Sequence, residues 1–356
     1  MTGAATNTAV FDHPDFDDHE QVVFAADPAS GLRAIIAIHD TTLGPALGGC
    51  RIWSYGSTNE AIADALRLSR SMTYRAALAG LPLGGGKAVA IIDSDRPKTP
   101  AMLRAMGQAI DRLGGRYITA EGAGSTVTDM DEVAKATPFV SGQSWGAGDP
   151  APATARGVFL CMEAAVRHRL DRDLAGVHVA VKGLGSVGRA LAGMLHEAGA
   201  RITVADIDPA RVARARQAFG AASVPVGAIS AMEADVFAPC ALGGDLNERS
   251  IAGLRAAIVC GSASNQLATP EDEIRLAEKG VLYCPDYLVN AGGLIHAARH
   301  TLDLPRGTTD AHIRNLPETL LTILAEAART GATPGAVADR TARDRFRPRE
   351  ELRLLA

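Results

Sequence analysis

Short apolar runs alternate with turn-forming residues in the first third of the chain, and this pattern predicts strands and helices packed in layers. Gln21–Ala25 and Leu32–His39 have strand character, and the turn-rich segment Asp27–Gly31 lies between them. We therefore expect two strands joined by a short turn. Apolar residues recur at helical spacing over Asn59–Tyr74 and again over Thr99–Leu113, which predicts two helices.

Polar residues then mark where helices begin and where the first domain ends. Thr99 and Pro100 suit the cap and the first position of a helix. Arg116–Ala120 predicts a short strand, and the acidic segment Thr128–Glu132 predicts the start of the next helix, where its carboxylates act as caps. Gly142–Pro152 is rich in Gly and Pro, so we place a domain junction there.

The second half of the chain has a repeated strand–loop–helix order. A helix is predicted over Ala155–Arg169, and a strand over Gly176–Val181 leads into a glycine-rich loop. A helix over Arg189–Ala198 and a strand over Arg201–Ala205 follow, and a long helix is expected over residues 309–328. Three later strands, each expected to end in a polar loop, are Val236–Ala238, Ala257–Cys260 and Val281–Cys284. At 356 residues the chain is long enough for two domains, and we predict the α/β class.

Composition narrows the class of protein. With 47% hydrophobic, 21% charged and 4% aromatic residues and a net charge of −4, the chain has neither the basic surface of a nucleic-acid-binding protein nor a stretch that could span a membrane. Met1–Asp18 is polar and acidic, so we expect no signal peptide. The five cysteines are scattered without CxxC spacing, which favours reduced thiols in the cytoplasm over disulfides or a metal site.

The segment Leu81–Ile92 carries the first candidate chemistry. Three glycines, which permit a sharp turn and close approach of a ligand, run into Lys87 and an apolar strand. A lysine partly desolvated there would have a lowered pKa, so it could transfer a proton or polarise a carbonyl near neutral pH. The alternative is an exposed lysine after a glycine turn. Arg75, near a helix end, is either a carboxylate-binding guanidinium or a solvated cation favourable to the helix dipole.

The loop Gly183–Gly188 has the spacing GxGxxG, with a strand before it, a helix after it and Asp206 at the end of the next strand. This context indicates a dinucleotide site, because the first glycine permits the turn, the second the approach of the pyrophosphate and the third close packing of the helix. Asp206 would accept hydrogen bonds from the adenosine ribose and repel a 2′-phosphate, which favours NAD over NADP. Asn265 and Asn290 are candidates for nicotinamide or substrate contacts, or are buried structural amides.

These residues together resemble the amino-acid dehydrogenases, the family of leucine, valine, phenylalanine and tryptophan dehydrogenases with glutamate dehydrogenase more distant. The resemblance covers about His19 to Arg345. The motifs that carry it are Thr42–Gly49, Met72–Arg75, Gly84–Lys87, Gly183–Gly188, Ala238–Gly244 and Pro285–Gly293.

The resemblance implies NAD-dependent oxidative deamination of an L-amino acid to a 2-oxo acid and ammonia, together with the reverse amination. It implies a substrate-binding and oligomerisation domain over residues 1–148, a Rossmann-type NAD-binding domain over 149–325, a cleft between them, and helices over about 326–356 that pack back on the first domain. A homo-oligomer is also implied. Lys87 matches the catalytic lysine. The residues implied in substrate binding are Arg75, Leu47, Gly48, Gly49, Ala120 and Val289. Those implied in NAD binding are Gly183, Gly185, Ser186, Val187, Gly188, Asp206, Cys240, Asn265 and Asn290. No cation for a side-chain carboxylate is evident, so an apolar amino acid is expected.

Three positions depart from the family pattern. Arg75 stands where the family has a lysine, and Ser264 stands where an Asn-Asn pair is usual. The family's catalytic aspartate, which acts as a proton shuttle, is Gly122 in this chain. Three outcomes stay open: Glu121 or a water takes the proton, the site has moved to related imine or 2-oxo-acid chemistry, or the chain is a catalytically silent NAD-binding partner of an active homologue.

Overall fold

The structure, a computed structural model, describes residues 9–93, 97–146 and 148–347. It divides into two compact units. Within the described ranges, unit 1 takes in Met1–Asp149, Ala297–Pro305 and Arg343–Ala356, and unit 2 takes in Pro150–His296 and Arg306–Ala342. The predictions for the first eight residues and for a helix continuing to residue 356 lie outside the described residues.

Unit 1 is built on a five-stranded mixed sheet in the order β1-β2-β4-β3-β5. Its strands are β1 (Gln21–Asp27), β2 (Leu32–Asp40), β3 (Ala46–Trp53), β4 (Gly84–Ile91) and β5 (Tyr117–Glu121). The first three in that order, β1, β2 and β4, pair antiparallel, whereas β4, β3 and β5 are parallel neighbours. The carboxyl ends of these three parallel strands therefore lie at one edge, where α/β sheets place ligands.

Helices cover both faces of this sheet. They are α1 (Thr58–Leu78), α2 (Pro100–Asp111) and α3 (Val127–Ala134), and a short 3₁₀ helix over Val10–Asp12 precedes them. α1 packs on one face against Ile35, Ala37 and Val89, and the side chains of α2 and α3 join the core on the opposite face. Because successive side chains of a strand point to opposite faces, β1, β2 and β4 contribute to both cores, whereas the core residues of β3 and β5 lie on the side of α2 and α3.

The helix caps follow the predicted chemistry with one correction. Thr99 accepts a hydrogen bond from the Met102 amide and Pro100 opens α2, as predicted. The cap of α3 is Thr126, not Thr128, and Asp129 completes a capping box with it, so this carboxylate is structural.

Unit 2 has a six-stranded sheet in the order β11-β10-β9-β6-β7-β8 in which every pairing is parallel. Its strands are β6 (His178–Lys182), β7 (Arg201–Ala205), β8 (Ala222–Ser223), β9 (Val236–Pro239), β10 (Ile258–Val259) and β11 (Leu282–Tyr283). Numbered from β6, this is the order 3-2-1-4-5-6 of a dinucleotide-binding sheet. The Rossmann-type fold expected of the second half is confirmed.

The helices after residue 150 alternate with these strands and then extend past the sheet. They are α4 (Ala151–Leu170), α5 (Ser186–Glu197), α6 (Pro209–Phe219), α7 (Glu248–Gly253), α8 (Glu271–Glu278), α9 (Asp286–Val289), α10 (Gly292–Thr301), α11 (Arg306–Thr330) and α12 (Pro334–Phe346). None of the helices in the described ranges combines the length and the apolar character needed to cross a bilayer.

Two glycine-rich segments are more extended than the sequence suggests. The run Gly84–Gly86 is the start of β4 rather than a turn, and the glycine- and proline-containing motif Thr42–Gly49 already becomes β3 at Ala46. In both cases the glycines let neighbouring backbones approach closely. The helix after Gly183–Gly188 begins at Ser186 instead of Arg189, so its first turn is part of the glycine motif.

Candidate functional site

Lys87 lies on β4 on the face of the sheet that α1 covers. Cys50 of β3 pairs with Ala88, so Gly49 lies beside Lys87 in the same register, and Gly49 pairs in turn with Ala120 of β5. Lys87, Gly49 and Ala120 therefore form one row across three parallel strands. This row brings together a lysine, a glycine and a small apolar residue that the sequence assigned to one substrate site.

The environment of Lys87 makes its ammonium easy to deprotonate. The side chain is 8% exposed. Burial lowers the pKa of Lys87 from its ordinary 10.5 to about 8, the charges of Arg51 and Arg75 also lower it, and Cys50 and Asp64 act in the opposite direction. A substantial fraction of Lys87 is neutral slightly above physiological pH, which suits an amine that accepts and returns a proton.

Tyr117 fixes the strands around this row. Its hydroxyl donates to the Gly48 carbonyl at 2.8 Å and accepts from the Ala88 amide at 3.0 Å, and its ring is fully buried. The phenol oxygen thus bridges β3 and β4 next to Lys87. A Cβ at Gly48 would lie 1.7 Å from the Gly86 carbonyl oxygen, so only glycine allows the two strands to approach this closely.

The glycines before Lys87 make room for protein rather than for a ligand. A Cβ at Gly85 would lie 2.0 Å from the Thr73 amide nitrogen of α1, and a Cβ at Gly86 would lie 2.6 Å from the Tyr117 ring. The run therefore seats α1 and Tyr117 directly against β4. The backbone immediately before Lys87 is thus held between α1 and the ring of Tyr117.

A charged group on the same face was not anticipated from the sequence. Nη1 of Arg51, on β3, lies 2.9 and 2.7 Å from the two carboxylate oxygens of Asp64 on α1, and the Tyr55 hydroxyl donates to Asp64 at 2.5 Å. Arg75, in the last turn of α1, is half-buried and contacts the Met72 sulfur at 3.5 Å. Two guanidinium groups and one carboxylate thus act on Lys87, an excess of positive charge that suits a carboxylate substrate.

Gly122 follows β5, where the family pattern has an aspartate, and its turn is bound tightly to β3. The Gly122 amide donates to Ser125 Oγ at 2.8 Å, and Ser125 Oγ donates to the Cys50 carbonyl at 2.7 Å. The Ile52 amide donates to the Ala123 carbonyl at 2.9 Å. A Cβ at Gly122 would lie 2.7 Å from the Cys50 carbonyl oxygen. The turn therefore has no space for a side chain as it stands.

Glu121 is a poor substitute for that aspartate. Strand alternation directs its side chain to the face opposite Lys87, because Ala120 shares the lysine's face. Burial raises the pKa of Glu121, the carboxylates of Asp149 and Asp129 raise it further, and Lys98 lowers it. The charged groups that mainly shift the pKa of Glu121 therefore differ from Arg51, Arg75 and Asp64, which act on Lys87.

The glycine motif of unit 2 has three distinct local geometries. Gly183 has φ of +99°, and its missing side chain leaves room for the backbone of Cys240. A Cβ at Gly188 would lie 2.0 Å from the Gly183 carbonyl oxygen, so the helix packs closely on the turn. A Cβ at Gly185 would meet no atom within 4 Å. The face of the turn is thus open at the position where a pyrophosphate approaches, and the amides of Ser186 and Val187 open helix α5 there.

Asp206 lies directly beside this turn. Its Oδ2 accepts from the Leu184 amide at 2.6 Å and its Oδ1 from the Asp208 amide at 2.8 Å. A carboxylate offers about four acceptor positions, so lone pairs are left for ribose hydroxyls. The glycine turn and the acidic residue are therefore adjacent, as dinucleotide binding requires.

Among the remaining predicted cofactor residues, Cys240 and Asn265 lie on loops after β9 and β10, and Asn290 ends helix α9, which follows β11. The Cys240 amide donates to the Lys182 carbonyl at 2.7 Å, which ties its loop to β6. The side-chain amide nitrogen Nδ2 of Asn290 donates to the Ser262 carbonyl at 3.2 Å and to Ser264 Oγ at 3.4 Å. Asn265 is exposed and has φ of +55°. Asn290 thus holds a loop together, whereas the exposed side chain of Asn265 faces solvent.

Two predicted pocket residues present almost no surface. Leu47 and Val289 are 1% and 0% exposed. Leu47 lies on β3 of unit 1 and Val289 ends α9 of unit 2, so their place in a substrate pocket stays a prediction. Among the described residues, no group of three or more His, Cys, Asp or Glu side chains could hold a metal ion.

Comparison with known proteins gives a consistent result for both units. Residues 19–138 match the family model described as Glu/Leu/Phe/Val dehydrogenase, dimerisation domain. Residues 146–214 and 209–303 match the model described as Glutamate/Leucine/Phenylalanine/Valine dehydrogenase.

Individual relatives match over almost their whole length. The chain is 47% identical to leucine dehydrogenase of Geobacillus stearothermophilus over 341 residues, which covers 95% of this chain and 93% of the relative. It is 44% identical to valine dehydrogenase of Streptomyces virginiae, covering 94% and 95% of the two chains. The crystal structure of L-tryptophan dehydrogenase from Nostoc punctiforme superimposes with a TM-score of 0.81 at 43% identity, covering 92% of this chain and 96% of the other.

Proposed function

Because the chain belongs to the Glu/Leu/Phe/Val dehydrogenase family, we propose that it catalyses the NAD-dependent oxidative deamination of an apolar L-amino acid to its 2-oxo acid and ammonia, and the reverse amination. The observation that carries the proposal is Lys87, a buried amine with a lowered pKa in line with Gly49 and Ala120. A lysine in this state can remove a proton in one direction and return it in the other.

The substrate's α-carboxylate is the natural partner of the positive charge around Lys87. Arg75 presents a planar guanidinium that can bind a carboxylate through two hydrogen bonds. The backbone of Gly48 and Gly49 borders the same row, and the small apolar side chain of Ala120 lies in it. An apolar side chain fits such surroundings better than a second carboxylate, and the names of the leucine and valine dehydrogenases to which the chain is similar support this choice.

NAD would be held by the residues of unit 2. The open face at Gly185 admits a pyrophosphate, the amides of Ser186 and Val187 donate to it, and Asp206 accepts from the ribose. Cys240, Asn265 and Asn290 border the nicotinamide half of the cofactor in this proposal. When bound, NAD supplies the hydride acceptor.

The test is NADH formation from a panel of L-amino acids, with leucine, valine, phenylalanine, tryptophan and glutamate as members. Lys87→Met should lower kcat by about 10²–10⁴-fold and leave NADH binding unchanged, because the amine acts on a proton and not on the cofactor. Lys135→Met is the control, since Lys135 is an exposed lysine of the same unit, paired with Glu132. Unchanged turnover in Lys87→Met, or a preference for glutamate, would refute the proposal.

A second candidate function is favoured by one observation, the absence of space for a side chain at Gly122. In this candidate the chain binds NAD but is silent, or acts on an imine or 2-oxo acid without ordinary deamination. NADH binding without turnover of any amino acid or of 2-oxo acid plus ammonia would favour it over the first candidate.

We also propose that the chain forms a homo-oligomer and works in the cytoplasm. The match of residues 19–138 to a dimerisation domain supports self-association, which light scattering of the purified protein would measure.

The cysteines support the cytoplasmic location, because all five are free and four of them are buried, as is usual for reduced thiols.

A further inference from the structure

A charged cluster of Asp206, Asp208 and Arg211 lies at the turn after β7, and of these three only Asp206 has a role in the proposed NAD site. The turn consists of Asp206, Ile207 and Asp208, and α6 begins at Pro209. Its position is fixed by the hydrogen bond from the Leu184 amide to Asp206. In a dinucleotide-binding sheet the adenosine ribose lies between the glycine turn and the end of the second strand, which places its 2′ position at this cluster.

Asp206 is partly committed to the fold. Both of its carboxylate oxygens accept backbone amides, and its side chain is only 5% exposed. The charged side chains of the cluster with more accessible surface are Asp208 of the turn, 42% exposed, and Arg211 of the first turn of α6, 45% exposed. A ligand at this turn therefore meets a carboxylate and a guanidinium in addition to Asp206.

Arg211 is well placed to contact the ribose substituent. Its Nη1 lies 3.8 Å from Asp206 Oδ2 and its Nε lies 3.4 Å from Asp208 Oδ2. A guanidinium has five N–H donors in a rigid plane, so these two contacts leave donors for a hydroxyl or a phosphate. Ile207 is 88% exposed and offers an apolar surface on which the adjacent adenine can pack.

The net charge of this cluster determines whether it favours a 2′-hydroxyl or a 2′-phosphate. Two carboxylates and one guanidinium sum to a net charge of −1, which favours the uncharged 2′-hydroxyl of NAD. An arginine near the acidic residue is also the group with which dinucleotide-binding folds accommodate a 2′-phosphate. The guanidinium therefore opposes the repulsion that Asp206 alone would exert.

We propose that Arg211 contacts the 2′ substituent of the adenosine ribose and lets the chain bind NADP as well as NAD. The proposal rests on the proposed function, since it concerns the same cofactor site. NAD remains the preferred cofactor, and Arg211 sets how strong that preference is.

The test is the equilibrium binding of NADH and NADPH, measured by dinucleotide fluorescence without substrate. The wild type should bind both. Arg211→Ala should weaken NADPH binding about 10- to 100-fold, the range expected for a charge-assisted hydrogen bond to phosphate, and NADH binding at most about 3-fold. Arg211→Lys keeps the charge and should lose less NADPH affinity than Arg211→Ala.

Two more variants separate the 2′ contact from general effects. Asp208→Asn, which can still cap α6, should strengthen NADPH binding about 3- to 10-fold by removing one negative charge. Arg216→Ala changes an exposed arginine of the last turn of α6 and should leave both affinities unchanged. Melting temperatures show that each variant is folded.

The outcomes distinguish this proposal from the proposed function. If the wild type binds NADH but not NADPH, or if Arg211→Ala changes both affinities by the same factor, the role of Arg211 is refuted while the dehydrogenase function stands. If the wild type binds neither dinucleotide, both fail.

Discussion

Restoring an aspartate at position 122 tests whether the missing proton shuttle limits the enzyme. Gly122 is the first residue after β5, two positions beyond Ala120 in the row that contains Lys87, and it matches the position of the family's aspartate. A carboxylate near Lys87 would also raise the pKa of its ammonium, because opposite charges favour the charged forms. We expect Gly122→Asp to gain activity and lose stability.

The loss of stability follows from the distance between Gly122 and β3. The Cβ of any residue at 122 would lie 2.7 Å from the Cys50 carbonyl oxygen, whereas ordinary contact begins at 3.4 Å. The turn must move by about 0.7 Å while Ser125 and Ala123 bind it to β3, and overpacking of this kind costs about 1–3 kcal/mol. For a domain of this size the melting temperature should fall by about 2–12 °C.

The gain in rate is smaller than a perfectly placed group would give. A general acid or base contributes about 10²–10⁴-fold, and displacement by an ångström can remove about 10²-fold. We therefore expect kcat for oxidative deamination to rise by about 10²-fold, at the lower end of that range.

Gly122→Ala is the matched control, because it introduces the same Cβ without the carboxylate. Both variants should melt at similarly reduced temperatures, and only Gly122→Asp should turn over amino acids faster than the wild type in steady-state assays of NADH formation. If the two variants have equal kcat, the absent aspartate does not limit this enzyme. If neither variant is destabilised, the packing derived for the turn is wrong.

The low pKa of Lys87 predicts that kcat/KM rises with pH through about 8, as the amine loses its proton. A kcat/KM that does not change with pH would contradict this role. Since its pKa falls from 10.5 to about 8 on folding, the wild type should gain about 3 kcal/mol of stability between those pH values relative to Lys87→Met, as measured by chemical denaturation; equal slopes would contradict this. Tyr117→Phe leaves the Ala88 amide without its acceptor and should cost about 1–3 kcal/mol, so an unchanged melting temperature would show that water replaces the phenol. Phe346 is 1% exposed and packs edge-on to Tyr74. Phe346→Ala should lower the free energy of unfolding by about 3–5 kcal/mol, as measured by chemical denaturation, and a loss below about 1 kcal/mol would indicate loose packing there.

The elements with a strong local signal were predictable from the sequence. The strands Gln21–Ala25 and Leu32–His39, the cap at Thr99 and the strand Arg201–Ala205 depend on nearby residues, and each is confirmed within two residues. The glycine motif was readable for the same reason, because its strand, turn and helix are contiguous in the chain.

The parts that sequence reasoning missed depend on contacts between distant residues. Gly85 and Gly86 were interpreted as a turn, but what they make room for is Thr73 of α1 and the ring of Tyr117, which no local pattern reveals. The ion pair of Arg51 with Asp64 likewise joins a strand to a helix. Its one sequence signal is an arginine placed two residues after a glycine pair in a strand.

The Tyr117 hydroxyl takes the place of a main-chain acceptor between β3 and β4, so the Ala88 amide there depends on a side chain. Deuterium exchange at that single amide consequently reports on the position of the Tyr117 ring and not on the separation of β3 from β4. Because Lys87 is the preceding residue in the chain, exchange at this amide also reports on rearrangements of the backbone that carries the Lys87 side chain.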